Sequence, residues 1–224
     1  KPGEWRLWRD LGDLQIRLKD WDEAGASYRK AIELEPVNPT LKMSLGNLTL
    51  KRFDDQLLTL KEALKAQPGD AAAKARLSQV EKERLAFSLE EFARRAKDLP
   101  TDPSVRYDYG EALFRSAKTR EAISEFQFSV KDPKRKVPSL LRLGECFKRE
   151  GQMDLSAKQF EKALEDLATM NDTRKSALYA LGDVYEKQAR LEDAKKTWGE
   201  LYEADINFKD VSKRLELLNT KIKG

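Results

Sequence analysis

Residues 5–38 read WRLWRDLGDLQIRLKDWDEAGASYRKAIELEPVN, and this stretch decides the fold of the chain. Its apolar residues recur mostly at steps of three or four on either side of Lys19 and Asp20, which is the spacing of one helix face. Two short helices joined by so tight a turn must lie antiparallel. Pro36 ends the second helix, because the residue before a proline is displaced from helical geometry. The stretch therefore predicts a helix-turn-helix hairpin.

The same pattern returns along the chain with a period near 34 residues. Its clearest marker is a glycine inside the first helix, which costs roughly 1 kcal/mol relative to alanine and is expected where two backbones approach closely. The marker glycines are Gly12, Gly46, Gly110, Gly144 and Gly182. One hairpin cannot cover both of its apolar faces, so the copies must stack on their neighbours. The periodicity therefore predicts an all-α solenoid.

We predict a single solenoid over residues 1–224 with about six repeats and a capping helix. The repeats span about 5–38, 39–70, 71–102, 103–136, 137–172 and 173–206, and the capping helix spans 207–222. The second repeat is two residues short between its helices, so we expect a shortened first helix and a turn near residues 51–53. The third repeat has no glycine. Either a second helix restarts at Ser88, capped with Glu91, or one long helix bends near residues 84–88.

The first repeat closely resembles the tetratricopeptide repeat family in the type and spacing of its residues. The matching positions are Trp8, Leu11, Gly12, Ala24, Tyr28, Ala31 and Pro36. Gln15 stands where the family pattern has tyrosine. The resemblance implies a right-handed α-solenoid of helix-turn-helix repeats, a role in protein–protein interaction, and a concave face lined by the first helix of each repeat.

Composition argues against several classes of function. The chain has no histidine, which removes histidine-based acid–base catalysis and histidine metal ligation. Cys146 is the single cysteine, so no internal disulfide can form. We predict no enzyme activity, no cofactor and no metal site. With no run of 18 apolar residues, we expect no transmembrane span and a cytoplasmic location. Since Lys1 is not a methionine, a removed signal, anchor or further domain stays an open alternative.

If the family geometry holds, the candidate binding residues are those of each first helix that point away from the apolar seam. They are Arg9, Asp13, Met43, Asn47, Tyr107, Glu111, Phe114, Arg115, Leu141, Arg142, Glu145, Arg149, Tyr179 and Asp183. Aromatic residues and arginines are typical of interface hot spots. Arg115, Arg142 and Arg149 could form a basic stripe, since arginine binds carboxylates through two hydrogen bonds.

The leading hypothesis is a non-catalytic scaffold that binds a protein or peptide segment on its concave face. The net charge of +4 is concentrated in residues 131–150, which indicates either an acidic segment as partner or only a solvated turn and helix face. One alternative is the repeat portion of a larger enzyme or of a secretion or assembly component. Another is an RNA-binding helical repeat, although Lys134, Arg135 and Lys136 without flanking aromatics are thin support. Self-association through the first helix, which carries Trp5 and Trp8, is a further alternative. No membrane partner is predicted.

Overall fold

The computed structural model describes residues 3–223, which form eleven helices and no strand. The helices are α1 (Glu4–Arg17), α2 (Trp21–Leu34), α3 (Pro39–Ala66), α4 (Ala71–Asp98), α5 (Pro103–Arg115), α6 (Thr119–Ser129), α7 (Pro133–Arg149), α8 (Met153–Glu165), α9 (Asp172–Lys187), α10 (Leu191–Ala204) and α11 (Val211–Lys223). The predicted all-α fold is confirmed. Within this described range, no helix is both long and apolar enough to cross a bilayer.

Asparagine or aspartate caps fix where five of the helices begin. The side chains of Asn38, Asp70, Asp102, Asp132 and Asn171 each accept a hydrogen bond from a backbone N–H in the first turn of the helix that follows. In α3, α5 and α7 a proline occupies the start of the helix, where its missing N–H has no consequence. These signals separate the predicted repeats, and most of the repeat boundaries follow from them.

The tight turns inside four helix pairs share one backbone feature. Lys19, Ala117, Gly151 and Ala189 all have positive φ, between 57° and 76°. Each lies seven residues after a marker glycine and joins the two helices of its pair. This left-handed conformation ends the first helix and returns the chain antiparallel to it. The predicted hairpins α1/α2, α5/α6, α7/α8 and α9/α10 are therefore confirmed.

The second repeat does not form a hairpin of its own. The prediction of a turn near residues 51–53 is wrong. Pro39–Ala66 is one continuous helix of 28 residues. The residue seven positions after Gly46 is Phe53, and a bulky side chain strongly disfavours the left-handed conformation that the turn requires. Without that turn the helix continues, and α3 pairs with α4 instead.

The third repeat adopts the long-helix alternative, because Ala71–Asp98 is also continuous over 28 residues. Ser88 does not cap a new helix. Its hydroxyl donates to the carbonyl of Arg84, one turn earlier in the same helix, at 2.7 Å. The rings of Phe53 and Phe87 lie 6.1 Å apart between α3 and α4. Repeats two and three together thus form one long helical hairpin.

The helices pack into two compact units, residues 1–100 and 101–224. The first contains α1 to α4, and the second contains α5 to α11. In the second unit Val211 and Leu218 of α11 are fully buried in the core, as expected of a capping helix. A single continuous solenoid over residues 1–224 stays a prediction.

Each marker glycine of the four short hairpins lies against an aromatic ring sixteen residues later. The pairs are Gly12–Tyr28, Gly110–Phe126, Gly144–Phe160 and Gly182–Trp198. A Cβ atom at these glycines would lie 3.1, 2.8, 2.7 and 2.2 Å, respectively, from the nearest ring atom. Each ring is almost completely buried. The glycine therefore lets the second helix place its aromatic residue directly against the first helix.

Candidate protein-binding site

A pocket of about 380 Å³ opens in the second unit where α5, α7 and α9 come together. It is lined by Tyr107, Val137, Pro138, Leu141, Arg142, Glu145, Phe160, Thr173, Ser176, Ala177 and Ala180. We call it the α7–α9 pocket. Small side chains on α9 leave the space open, and Phe160 of α8 forms part of its floor. Its wall is mainly apolar, while its charged groups come from α7.

Arg142 is held at the edge of this pocket by neighbours on α5. It makes a paired hydrogen bond with the Glu111 carboxylate, with Nη2 at 3.1 Å from Oε2. Tyr107 also interacts electrostatically with Arg142. Burial is the main cause of the raised pKa of the Tyr107 phenol, and Glu111 adds to it. Glu111 already compensates the charge of Arg142. This arginine therefore lies at the edge of the pocket as part of an ion pair and does not contribute a free positive charge.

Glu145 is the second charged group of the pocket, one turn after Leu141 on α7. It is half-buried, and among residues 3–223 no hydrogen bond or ion pair engages its carboxylate. A carboxylate in this position can accept a hydrogen bond from a lysine, an arginine or a backbone N–H. The uncompensated charge of the α7–α9 pocket is therefore negative.

The predicted arginine stripe is mostly engaged within the protein. The guanidinium carbon of Arg149 lies 3.4 Å from the centre of the Phe114 ring, and its Nη1 donates to the Phe114 carbonyl at 2.9 Å. The Arg142 guanidinium carbon lies 5.3 Å from the same ring. Phe114 is buried, whereas Arg115 is exposed and lies 3.9 Å from Glu111. Phe114, Arg115 and Arg149 do not line the pocket.

Tyr179 is covered by the segment between α10 and α11. Its hydroxyl donates to the Asp210 carboxylate, and its ring lies 6.2 Å from that of Phe208. The ammonium of Lys209 lies 4.3 Å from the centre of the Tyr179 ring. Tyr179 therefore joins α9 to the capping region and does not line the α7–α9 pocket.

Asp183 lies at the centre of a cationic cluster. Its carboxylate lies 2.8 Å from Lys148, 3.1 Å from Lys187 and 2.9 Å from Arg214. Burial alone would raise the pKa of this carboxyl, but the hydrogen bonds and charges of these three residues outweigh it and lower the pKa to about 2. Asp183 therefore ties α7, α9 and α11 together.

The Asp183 cluster leads to a pH-dependent stability. Because the pKa is depressed in the folded state, the stabilisation is present above about pH 4 and is lost as the pH falls through about 2. We expect Asp183→Asn to lower the unfolding free energy by about 2 kcal/mol at neutral pH. We also expect a shallower acid dependence than in the wild type, measured by urea denaturation at a series of pH values. Parallel pH dependences of variant and wild type would contradict this assignment.

The predicted residues of the first unit make internal contacts. Arg9 hydrogen-bonds Asp10 and lies over the Trp5 ring. Asp13 accepts from the hydroxyl of Tyr28, and with Asn47 it lines a separate pocket of about 250 Å³.

Met43 and Asn47 share one partner on α4. Arg95 Nη2 donates to the Met43 carbonyl at 3.1 Å and to the Asn47 side-chain oxygen at 2.8 Å. Arg95 also pairs with Glu91 at 2.7 Å, and both side chains are buried. A Cβ atom at Gly46 would lie 2.1 Å from Glu91. In this hairpin a buried ion pair takes the place of the aromatic ring.

Comparison with known proteins agrees with this geometry. Residues 5–36 match one sequence profile of the tetratricopeptide repeat, and residues 139–166 and 176–204 match another. The chain contains tetratricopeptide repeats at these positions. No significant match is found among curated protein sequences.

Solved structures support the same fold at low sequence identity. MamA is 18% identical, with 92% of this chain and 95% of MamA covered and a TM-score of 0.61. YrrB, described as a TPR protein with an unusual peptide-binding site, is 17% identical, with 93% and 90% covered and a TM-score of 0.65. PilW, described as a widely conserved type IV pilus biogenesis factor, is 16% identical, with 97% and 99% covered and a TM-score of 0.55. At this identity the likeness shows the fold alone.

The α7–α9 pocket brings together Tyr107, Leu141, Arg142 and Glu145 of the predicted binding residues. The sequence did not indicate the contributions of Ser176 and Ala180 from α9. Their position in the first helix of the repeat, facing the preceding repeat, could have indicated them. Small residues, however, do not stand out as binding residues in a sequence. The buried pair of Glu91 and Arg95 was also missed, because Glu91 was interpreted only as part of a helix cap.

Proposed function

We propose that this protein is a non-catalytic interaction scaffold that binds a segment of another protein along the concave face formed by α5, α7 and α9. The match to tetratricopeptide repeats and to solved structures of such proteins supports a general role as a scaffold for protein interactions. The observation that carries the specific proposal is the α7–α9 pocket, which combines an apolar wall with Glu145 at its edge. Ligand sites of proteins typically combine such an apolar concavity with a few orienting polar groups.

The chemistry of the pocket favours a particular kind of segment. Its volume of about 380 Å³ suits one or two apolar side chains as an anchor. The unpaired Glu145 carboxylate favours a lysine or arginine next to that anchor. The acidic segment suggested by the arginine stripe is less favoured at this pocket, because Glu111 already pairs with Arg142. The partner segment proposed here is therefore apolar with a flanking basic residue.

The experiment is selection of a displayed library of random peptides on the full-length protein. We expect enriched peptides to carry an apolar residue next to lysine or arginine. Ser176 is exposed at the pocket, so Ser176→Trp should fill the pocket without disturbing the core. We expect this variant, and Glu145→Lys, to bind an enriched peptide at least roughly 10-fold more weakly in calorimetry.

The matched control is Lys158→Trp, which adds the same ring at an exposed position of α8 outside the pocket. It should bind the peptide as tightly as the wild type. Equal binding by Ser176→Trp and Lys158→Trp would show that the α7–α9 pocket is not the binding site. Circular dichroism of the three variants verifies that each is folded.

A further inference from the structure

One face of α1 presents four leucines to solvent. Leu7, Leu11, Leu14 and Leu18 are 70%, 39%, 51% and 64% exposed. They follow one another at steps of four, three and four residues, so they form a single stripe along the helix. We call it the α1 leucine stripe. Gly12 and Ile16 lie on the opposite side of the helix, and Gly12 contacts Tyr28 of α2. The stripe therefore faces away from the partner helix of α1.

The same positions are buried in the fifth and sixth repeats. Counted from the marker glycine, Leu7, Leu11 and Leu14 correspond to Ser139, Leu143 and Cys146 in α7 and to Ala177, Leu181 and Val184 in α9. All six of these residues are at most 4% exposed. In α7 this face packs on α6, and in α9 it packs on α8. The equivalent face of α1 is thus built to receive a helix, and within residues 3–223 none covers it.

The charges beside the α1 leucine stripe are arranged so that the helix complements a copy of itself. In the heptad pattern that places the leucines at a and d, Asp10 and Arg17 occupy successive g positions on the same edge. Arg17 is exposed, and no described residue forms an ion pair with it. Asp10 is exposed, and among residues 3–223 its carboxylate forms an ion pair only with its sequence neighbour Arg9. If two such helices lie antiparallel, Asp10 of each comes next to Arg17 of the other.

We propose that two copies of this chain associate through their α1 helices, packed antiparallel about a two-fold axis. Leu11 of each copy then lies opposite Leu14 of the other, and Leu7 lies opposite Leu18. Such an interface uses the same patch on both copies, so each favourable contact occurs twice. The leucines form its apolar centre, and the two Asp10–Arg17 pairs at its edge set the antiparallel direction. This site is separate from the α7–α9 pocket, so it does not depend on the proposed function.

The interface is tested by sedimentation velocity on the full chain over roughly micromolar concentrations. We expect the wild type to form dimers and Leu14→Glu to be monomeric at the same concentrations. Leu14 is already half exposed, so this change should leave the fold intact, which circular dichroism verifies. The matched control is Leu155→Glu, which changes an exposed leucine of α8 and should leave dimer formation unchanged.

Exchanging the charges of Asp10 and Arg17 tests whether the partner that covers the α1 leucine stripe is a second copy of this chain. Asp10→Arg and Arg17→Asp should each weaken the dimer roughly 10-fold, because each places like charges together twice. The double variant Asp10→Arg with Arg17→Asp should restore wild-type association. A monomeric wild type, a dimer that survives Leu14→Glu, or a double variant no better than either single change would overturn the proposal.

Discussion

Gly182→Ala is expected to lower the unfolding free energy of the second unit by about 3 kcal/mol, at the upper end of the usual cost of overpacking a core. The new Cβ atom would lie 2.2 Å from Nε1 of Trp198. That ring is fully buried, and its Nε1–H donates to the carbonyl of Tyr179 at 3.2 Å. The ring can move away only by breaking this hydrogen bond and displacing its neighbours. Urea denaturation followed by circular dichroism measures the effect.

Gly199→Ala is the matched control for this prediction. Gly199 lies in the middle of α10, and a Cβ atom there would meet nothing within 4 Å. Since alanine favours the helix, we expect this variant to be more stable than the wild type by roughly 0.5 to 1 kcal/mol. If Gly182→Ala lowers the unfolding free energy and Gly199→Ala raises it, the contact with Trp198 decides the effect of the added methyl group. A Gly182→Ala variant as stable as the wild type would contradict the close approach of α9 and α10.

Arg95→Leu should destabilise the first unit by about 3 kcal/mol, the lower end of what breaking a buried ion pair costs. The guanidinium is 5% exposed and pairs with Glu91 Oε1 at 2.7 Å. It also satisfies the Met43 carbonyl and the Asn47 side-chain oxygen on α3. Leucine fills part of the space but leaves all three acceptors without this donor. Thermal unfolding followed by circular dichroism would report the loss.

Arg84→Leu makes the same substitution on the same helix at an ion pair with Asp54, where the side chains are 25% and 56% exposed. Surface pairs contribute only about 0 to 1 kcal/mol, so this variant should unfold close to the wild type. If Arg95→Leu and Arg84→Leu unfold at the same temperature, the buried pair of Arg95 and Glu91 does not hold α3 and α4 together. In Arg95→Leu, Arg94 still contacts Glu91. The expected loss of unfolding free energy in that variant therefore stays near the lower end of the range for a broken buried ion pair.

Most of the fold could be predicted from sequence, because its determinants are local. The marker glycines, the aromatic residue sixteen positions later and the Asp-Pro or Asn-Pro helix starts all act within one repeat. The second repeat shows the limit of pattern matching. Gly46 keeps the spacing of the family, but Phe53 occupies the turn position, and the helix continues through it.

The candidate site could be predicted only in part. The choice of first-helix residues was sound for Tyr107, Leu141, Arg142 and Glu145, which meet at the α7–α9 pocket. Whether a polar residue is free depends on partners about one repeat away, which no local pattern reveals. Asp183 is neutralised by Lys148 and Arg214, while no residue in the described range 3–223 forms an ion pair with Glu145.

The sequence by itself determined that this protein is made of stacked helical hairpins, where the first of those hairpins turns, and which glycines mark a close approach between the helices of a hairpin. These features rest on backbone sterics and on helical periodicity, which act over a few residues. Only the tertiary structure decided that α3 and α4 form one long hairpin around a buried ion pair, and that Tyr179 and Phe114 serve internal packing. It also decided that no residue in the range 3–223 pairs with Glu145 or covers the α1 leucine stripe. The physical reason is that burial and charge compensation are set by contacts between residues far apart in the chain.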